Sequence, residues 1–419
     1  MKQGTVALLF GAALVLAGCG GDKDDELGPP KRYPVPGCES FDPAPCDVLT
    51  SGCQLRLYGL AACLRGSDPG DPPAVLVMTP DQLQAELEAA AAAREPDPHI
   101  SQWESAYGML GLIQPGALEQ TAQIASEVSF IWGRYVEATK IVEVIDHGSN
   151  TTPETSSSVL LHEFVHALQD RESDLVSYTH AHGQTYDSSL AADAIIEGEA
   201  QFHQERYLAS MLGFDPHGVD WDLLFQNGVD YAESKLVAGP SPLTLANQYF
   251  PYDWGARYIH LGWDATGHAG VLDLFAAPPA DTQLEMASIH DLASDVTGDD
   301  TPAPTPPAEW TQIGAERLGA LGLFELLGQH AGLDHARSLA LDWRADHMAV
   351  YAATDAGDPT ATAVVWSCDF ATEASASDAA TLLDGVLGTS PVVTGTRFTF
   401  ADASNDSSLS WAFGTSSSP

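Results

Sequence analysis

The segment His162-Glu163-Phe164-Val165-His166 constrains the fold and chemistry of this chain more than any other segment. In an α-helix, residues four positions apart lie on one face, so both imidazoles can reach a single ion. Glu163 would then lie beside a water molecule activated by that ion. The spacing is typical of zinc hydrolases and predicts a metal site. The alternative is a core helix whose two histidines are only hydrogen-bonded.

The residues around this motif predict a buried helix. Residues 155–158 offer side chains suited to an N-cap. Apolar side chains then occupy most sides of the helix. They are Val159, Leu160, Leu161, Phe164, Val165 and Leu168.

A catalytic zinc ion normally has three protein ligands and a fourth position for water, so we expect one further ligand downstream. Glu197 is the strongest candidate, because it lies among apolar residues in a second predicted helix from about Ser188 to Leu212. A metal would offset the cost of burying its carboxylate. An exposed helical glutamate is the other interpretation, and His180 and His182 are an alternative source of the third ligand.

Two further motifs extend the pattern, and with them the chain resembles the gluzincin metallopeptidases. In that group, H-E-x-x-H on one helix is completed by a glutamate on the next. Glu197-Gly198-Glu199-Ala200 matches the E-G-x-A of aminopeptidase-N-type members. Tyr252-Asp253-Trp254-Gly255 is similar to their Y-x-x-G. Their exopeptidase signature G-x-M-E-N is absent, so recognition of a free substrate amine is not carried over.

The resemblance implies a role for each of five residues. One zinc ion per chain would be held by His162, His166 and Glu197. Glu163 would act as general base, and the Tyr252 hydroxyl would stabilise the oxyanion of the transition state. The other interpretation of Tyr252 is an aromatic residue packed in a turn rich in proline and tyrosine.

A β-hairpin is predicted immediately before the metal helix. Residues 130–135 and 140–145 are rich in β-branched and aromatic side chains. In gluzincins the strand at this place lies along the cleft and pairs with an extended substrate. The resemblance therefore implies that this hairpin borders the site, and β-augmentation makes such binding physically reasonable.

The amino terminus has the features of an export signal. Lys2 precedes an apolar run at residues 6–17, which is too short to span a bilayer stably. Leu16-Ala17-Gly18-Cys19 resembles a bacterial lipobox. We therefore expect a signal peptide at 1–18, lipidation of Cys19 and a flexible tether at 19–36, although an ordinary cleaved signal is the alternative. The expected product is an exported, membrane-anchored bacterial lipoprotein that faces the periplasm or the cell surface.

Four clustered cysteines predict a stapled segment at residues 37–66. Cys38, Cys46, Cys53 and Cys63 would form two disulfides in an exported chain, with three possible connectivities. A zinc knuckle is disfavoured, because its paired close cysteine spacings are missing. Cys368 is the remaining thiol, and we expect it to be buried.

The charge of the chain limits its partners. It has 17 basic and 58 acidic residues and a formal net charge of −41. Such a balance excludes non-specific binding of nucleic acid and argues against adhesion to anionic lipid by charge. A peptide or protein substrate is the expected partner, and membrane contact is expected only through the N-terminal lipid anchor.

The overall pattern predicts an α+β fold. We expect a mostly helical, zincin-like core at 75–350 with a small β-sheet edge next to the metal helix, followed by a small α+β appendage at 355–419. The individual predictions are helices at 80–95, 316–329, 334–347 and 375–387 and strands at 362–370 and 397–413.

These features favour a zinc-dependent metallopeptidase in which a metal-activated water attacks a peptide carbonyl and Glu163 is the base. One alternative is a non-enzymatic surface or periplasmic lipoprotein that binds a partner and carries a structural or vestigial metal site. A second is a zinc hydrolase acting on a substrate other than peptide.

Overall fold

The computed structural model describes residues 32–239, 241–287, 303–354, 360–384, 386–405 and 409–413. The predicted signal peptide at 1–18, the predicted lipidation site Cys19 and residues 19–31 of the predicted tether lie outside these ranges. Val35 falls within the predicted tether but is fully buried. The packed part of the chain therefore begins before residue 36.

The described residues form an α+β structure that is mostly helical. The strands are β1 Ala74–Met78, β2 Gly133–Val136, β3 Ile141–Ile145, β4 Trp310–Glu316, β5 Trp343–Ala353, β6 Thr362–Phe370, β7 Val392–Thr394 and β8 Arg397–Ala403. The helices are α1 Ser51–Arg65, α2 Pro80–Ala92, α3 Ile100–Met109, α4 Gln120–Phe130, α5 Pro153–Ser173, α6 Leu175–His182, α7 Tyr186–Leu212, α8 Trp221–Ala238, α9 Pro242–Thr266, α10 His268–Ala276, α11 Thr282–Ala287, α12 Gly319–Ala331, α13 Leu333–Leu341 and α14 Glu373–Asp384.

A three-stranded sheet lies against α5, the helix that carries the H-E-x-x-H motif. Its order is β1-β3-β2, with β1 parallel and β2 antiparallel to β3. The predicted hairpin is thus present as β2 and β3, although residues 130–132 lie outside its first strand. In this sheet β2 is an edge strand, and its face packs on α5.

A second sheet joins the C-terminal residues to the preceding ones. Its order is β4-β5-β6-β8-β7, and every neighbouring pair is antiparallel. The predicted boundary between 75–350 and 355–419 falls between the paired strands β5 and β6. Residues on both sides of it also share one hydrophobic core, so the C-terminal residues complete this sheet.

Two predictions of local structure were wrong in part. The helix predicted at 334–347 ends at Leu341, and Trp343 begins strand β5, because the central position of that strand between β4 and β6 overrides helix propensity. The strand predicted at 397–413 ends at Ala403, and Ser410–Phe413 form a 3₁₀-helix.

The alternative interpretation of Tyr252 as part of a turn is not supported either, because Tyr252 lies in α9, which continues through Pro251. Pro251 cannot donate the usual backbone hydrogen bond, and the helix continues through it where α9 packs closely against α7.

Both helices that carry the predicted ligands have defined beginnings. Thr152 caps α5 by accepting from the backbone N–H of Thr155, and Pro153 takes the first helical position, so the helix starts earlier than the predicted caps at 155–158. Thr185 and Ser188 form a reciprocal capping box at the start of α7. Gly213 ends α7 in the left-handed conformation, which glycine adopts readily.

Two disulfides staple the N-terminal segment, as predicted. The connectivity is Cys38–Cys63 and Cys46–Cys53, and Cys368 is a free, buried thiol. In the described ranges, no helix is both long enough and apolar enough to cross a membrane.

Candidate metal centre

The packing of α5 against α7 brings the three predicted ligands together. His162 and His166 lie one turn apart on α5, and Glu197 faces them from the middle of α7. One ligand atom from each lies within 4.8 Å of the others. Both histidines are fully buried and Glu197 is 5% exposed. This buried group could hold a metal ion.

The distances between these atoms fit a tetrahedral ion. Glu197 Oε2 lies 3.2 Å from His162 Nε2 and 3.3 Å from His166 Nε2. Two ligands bound at about 2.0 Å to a tetrahedral ion are about 3.3 Å apart. His166 Nε2 has no partner in hydrogen-bond geometry among the described residues. Burial lowers the pKa of His166, but the Glu197 carboxylate raises it further, to about 9. A metal ion would therefore replace a proton on this nitrogen.

Two glutamines orient the histidines. His162 Nδ1 lies 3.1 Å from Gln204 Oε1, and His166 Nδ1 lies 2.8 Å from Gln169 Oε1. Because an amide oxygen can only accept, each Nδ1 must carry the proton. Each Nε2 is then unprotonated in the neutral ring and can bind a metal.

The sequence did not identify these glutamines. Metal-bound imidazoles often donate to a carboxylate, and by sequence the candidates are Asp170, Asp193, Glu199 and Glu205. None of these four contacts an imidazole of the pair directly. Asp170 instead accepts from the Tyr135 hydroxyl at 2.7 Å. Glu205 accepts from Gln201 at 2.8 Å.

Helical spacing could have found the glutamines. Gln169 follows His166 by three positions and Gln204 follows Glu197 by seven, which in each case places both residues on the same helical face.

Glu163 is buried beside the ligands with its carboxylate unengaged. The residue is fully buried, and neither oxygen has a partner in hydrogen-bond geometry among the described residues. Burial raises the pKa of Glu163 well above its ordinary value, while His166 and the backbone N–H of Tyr135 oppose that rise. A carboxylate in this position can accept and return a proton.

Strand β2 passes close to Glu163. A Cβ placed on Gly133 would lie 3.0 Å from Glu163 Oε1 and 2.3 Å from a methyl carbon of Val159. The absence of a side chain at Gly133 therefore allows the strand to approach the metal helix and its carboxylate closely.

Tyr252 faces the same site from α9. Its ring stacks on His162 with centroids 6.1 Å apart, and the residue is 5% exposed. Burial raises the pKa of the Tyr252 hydroxyl well above its ordinary value, and the carboxylates of Glu197 and Glu163 add to this rise. Its hydroxyl thus stays protonated and can donate a hydrogen bond at the site.

The glycines of the two sequence motifs are where α7 and α9 cross. A Cβ on Gly198 would lie 2.2 Å from the carbonyl carbon of Gly255, and one on Gly255 would lie 2.2 Å from the Ala194 oxygen. Only glycine permits this backbone contact. Glu197 and Tyr252 lie on either side of this contact between Gly198 and Gly255. Because the contact leaves no room for a side chain, both motifs contain glycine at this point.

The alternative third ligands do not reach the site. His180 and His182 lie on α6, and His180 is exposed. Within the described ranges, one group of three or more histidine, cysteine or acidic side chains is placed to hold an ion. It consists of His162, His166 and Glu197.

Comparison of the chain with protein-family models, curated proteins and solved structures finds no match.

Proposed function

We propose that this protein is a zinc-dependent metallopeptidase with a zincin-like core. The observation that carries the proposal is the convergence of His162, His166 and Glu197 beside the unengaged carboxylate of Glu163. A structural metal site would need only the ligands. A buried carboxylate without a hydrogen-bonding partner is costly and is typical of a group kept for proton transfer.

The ligand set favours zinc. Two imidazoles and one carboxylate leave one coordination position open, which is the arrangement of many catalytic zinc sites. Sites for calcium or magnesium are instead built mainly from oxygen ligands. When bound, zinc would acidify a water molecule and polarise a substrate carbonyl.

The surrounding residues supply proton transfer and hydrogen bonding. Glu163 accepts the proton of the attacking water and returns it to the leaving nitrogen. Tyr252 donates a hydrogen bond to the oxygen that becomes negative in the transition state. Gln169 and Gln204 hold the imidazoles in the orientation and tautomer that metal binding requires.

The position of β2 at the end of its three-stranded sheet supports a peptide substrate. Ile145 donates to the oxygen of Trp132, and Lys140 donates to that of Val136, so even-numbered residues of this strand face β3. By the alternation of antiparallel pairing, the backbone groups of Gly133 and Tyr135 point away from β3. The Tyr135 N–H faces Glu163, and both residues are buried in the substrate-free protein. An extended peptide that enters beside Glu163 would therefore pair with the backbone groups of Gly133 and the carbonyl of Tyr135.

We also propose that the protein is exported and lipid-anchored. The two disulfides of the described N-terminal segment support an oxidising compartment. The lipobox-like Leu16 to Cys19 supports lipidation before this segment. Mass spectrometry of the protein expressed in a bacterial host should detect an acylated Cys19 at the mature amino terminus.

Hydrolysis of unfolded casein by the zinc-loaded protein tests the peptidase proposal. The wild type should cleave casein, and Glu163→Gln should lose about 10²–10⁴-fold in rate while retaining zinc. Glu325→Gln is a matched control. Glu325 is also a fully buried glutamate whose oxygens have no hydrogen-bonding partner among the described residues. It lies on α12 and is not one of the residues of the metal site. Zinc binding without cleavage of any peptide, with hydrolysis of simple esters instead, would favour the non-peptide alternative.

A further inference from the structure

The disulfide-stapled segment packs along the metal helix. At one end of the contact, the backbone N–H of Cys46 donates to Ser157 Oγ at 3.0 Å. In the middle, Tyr58 of α1 meets Phe164 edge to face, with ring centroids 5.2 Å apart. Phe164 follows Glu163 directly, so α1 lies behind the part of α5 that carries the motif.

Arg65, the last residue of α1, extends from this segment into the interior. It is fully buried. Its Nε donates to Glu199 Oε1 at 2.8 Å, and Nη1 donates to Glu172 Oε2 at 2.6 Å. Glu199 is also fully buried. The two interior charges compensate each other, and neither would be tolerated alone.

Glu199 connects Arg65 to the metal site through Gln169. Glu199 Oε2 accepts from Gln169 Nε2 at 2.9 Å, and the oxygen of Ile196 accepts from the same nitrogen at 2.8 Å. Two acceptors thus fix which end of the Gln169 amide is the nitrogen. Its oxygen must then face His166 Nδ1, 2.8 Å away.

We propose that Arg65 is a positioning residue for the metal site and that the stapled N-terminal segment is thereby required for tight metal binding. The inference rests on the metal site of the proposed function. Without Arg65, Glu199 is no longer held in one place, and the Gln169 nitrogen keeps only the Ile196 oxygen as a fixed acceptor. Rotation of that amide would turn its nitrogen toward His166 Nδ1, and the ring would then carry its proton on the nitrogen that must bind the metal.

The disulfides hold Arg65 in place. Cys63, two residues before it, is bonded to Cys38, and Cys53 near the start of α1 is bonded to Cys46. Loss of these bonds would free the segment from the metal helix. Metal affinity is therefore coupled to the oxidation state of this segment.

The test compares the zinc affinity of paired variants by competition with a chromophoric chelator. Arg65→Met alone leaves a buried carboxylate without its cation and can fail to fold. Arg65→Met with Glu199→Leu removes both charges. Arg337→Met with Glu233→Leu is the control, because it removes a second pair, between α13 and α8, in which the carboxylate is buried and the arginine is partly exposed. Urea unfolding of each metal-free protein verifies that it is folded.

We expect the Arg65/Glu199 variant to bind zinc about 10–100-fold more weakly than the wild type, as is usual when a partner of a metal ligand is lost. Its Co²⁺ complex should also show a changed visible spectrum, because one imidazole is no longer fixed. Cys38→Ser with Cys63→Ser should change affinity in the same direction, and the Arg337/Glu233 control should leave it unchanged.

Two outcomes separate this inference from the proposed function. Wild-type zinc affinity and an unaltered Co²⁺ spectrum in the folded Arg65/Glu199 variant would overturn the role of Arg65 and leave the metallopeptidase proposal intact. A wild-type protein that binds no metal would overturn both.

Discussion

Gly198 of α7 and Gly255 of α9 are in direct backbone contact, and a Cβ on either one would penetrate the other helix. This contact sets the distance between Glu197 and Tyr252, which precede the two glycines by one and three residues. The relative placement of a metal ligand and a hydrogen-bond donor thus depends on two residues that take no part in the chemistry.

We expect Gly255→Ala to destabilise the protein by about 1–3 kcal/mol, because the added methyl group meets backbone that cannot move aside easily. Urea unfolding measures this change. Gly108→Ala is the control, because Gly108 is also helical and a methyl group added there would meet no other atom within 4 Å. It should be neutral or stabilising. Equal effects at the two positions would contradict the crossing described above.

Tyr252→Phe should lower kcat by about 10²–10³-fold, which corresponds to about 2.7–4 kcal/mol of transition-state stabilisation. KM and zinc content should remain close to those of the wild type, since the ring can still stack on His162. Steady-state kinetics on a fluorogenic peptide measure the effect. Tyr249→Phe, at an aromatic residue on the same helix, is the control and should leave kcat unaltered.

Gln169→Leu should weaken zinc binding by about 10–100-fold, because His166 Nδ1 loses its acceptor. Gln201→Leu is a matched change on α7, where the glutamine bonds to Glu205 and not to a metal ligand. Chelator competition compares the two variants. Tight binding by Gln169→Leu would show that the imidazole is oriented without this amide.

The buried carboxyl group of Glu325 predicts how the free energy of unfolding depends on pH. It is fully buried and its oxygens have no hydrogen-bonding partner among the described residues, and burial raises its pKa well above the ordinary 4.5. Above pH 4.5 the unfolded chain releases this proton while the folded protein retains it. The free energy of unfolding therefore falls by up to about 1.4 kcal/mol per pH unit until the folded pKa is reached.

Glu325→Gln removes this ionisable group, so it should raise the free energy of unfolding at pH 8 and change it much less at pH 5. Urea unfolding at the two pH values measures the difference between variant and wild type. A gain that is equal at both values would exclude proton linkage at this residue.

The sequence predicted the parts of this structure that depend on spacing within one element. The four-residue step from His162 to His166 and the end of α7 at Leu212 are of this kind. The convergence of Glu197 on the two histidines also agrees with the prediction. The zinc, the peptidase activity and the lipid anchor remain predictions.

Features that depend on packing between distant residues were not predictable. Arg65 lies 134 positions before Glu199, and nothing in either local sequence pairs them. The helix predicted at 334–347 included the first residues of β5, because the burial of that strand depends on its pairing with β4 and β6. Likewise, the helical state of Tyr252 depends on the packing of α9 against α7, whereas its local sequence indicates a turn.

The zinc content of purified protein after reconstitution and dialysis, measured by mass spectrometry of the metal, tests the central claim most directly. We predict one zinc ion per chain in the wild type and in Glu163→Gln, and none in Glu197→Ala, because Glu197 is a ligand and Glu163 is not. A wild type without zinc, or Glu197→Ala with a full equivalent, would contradict the assignment of the site.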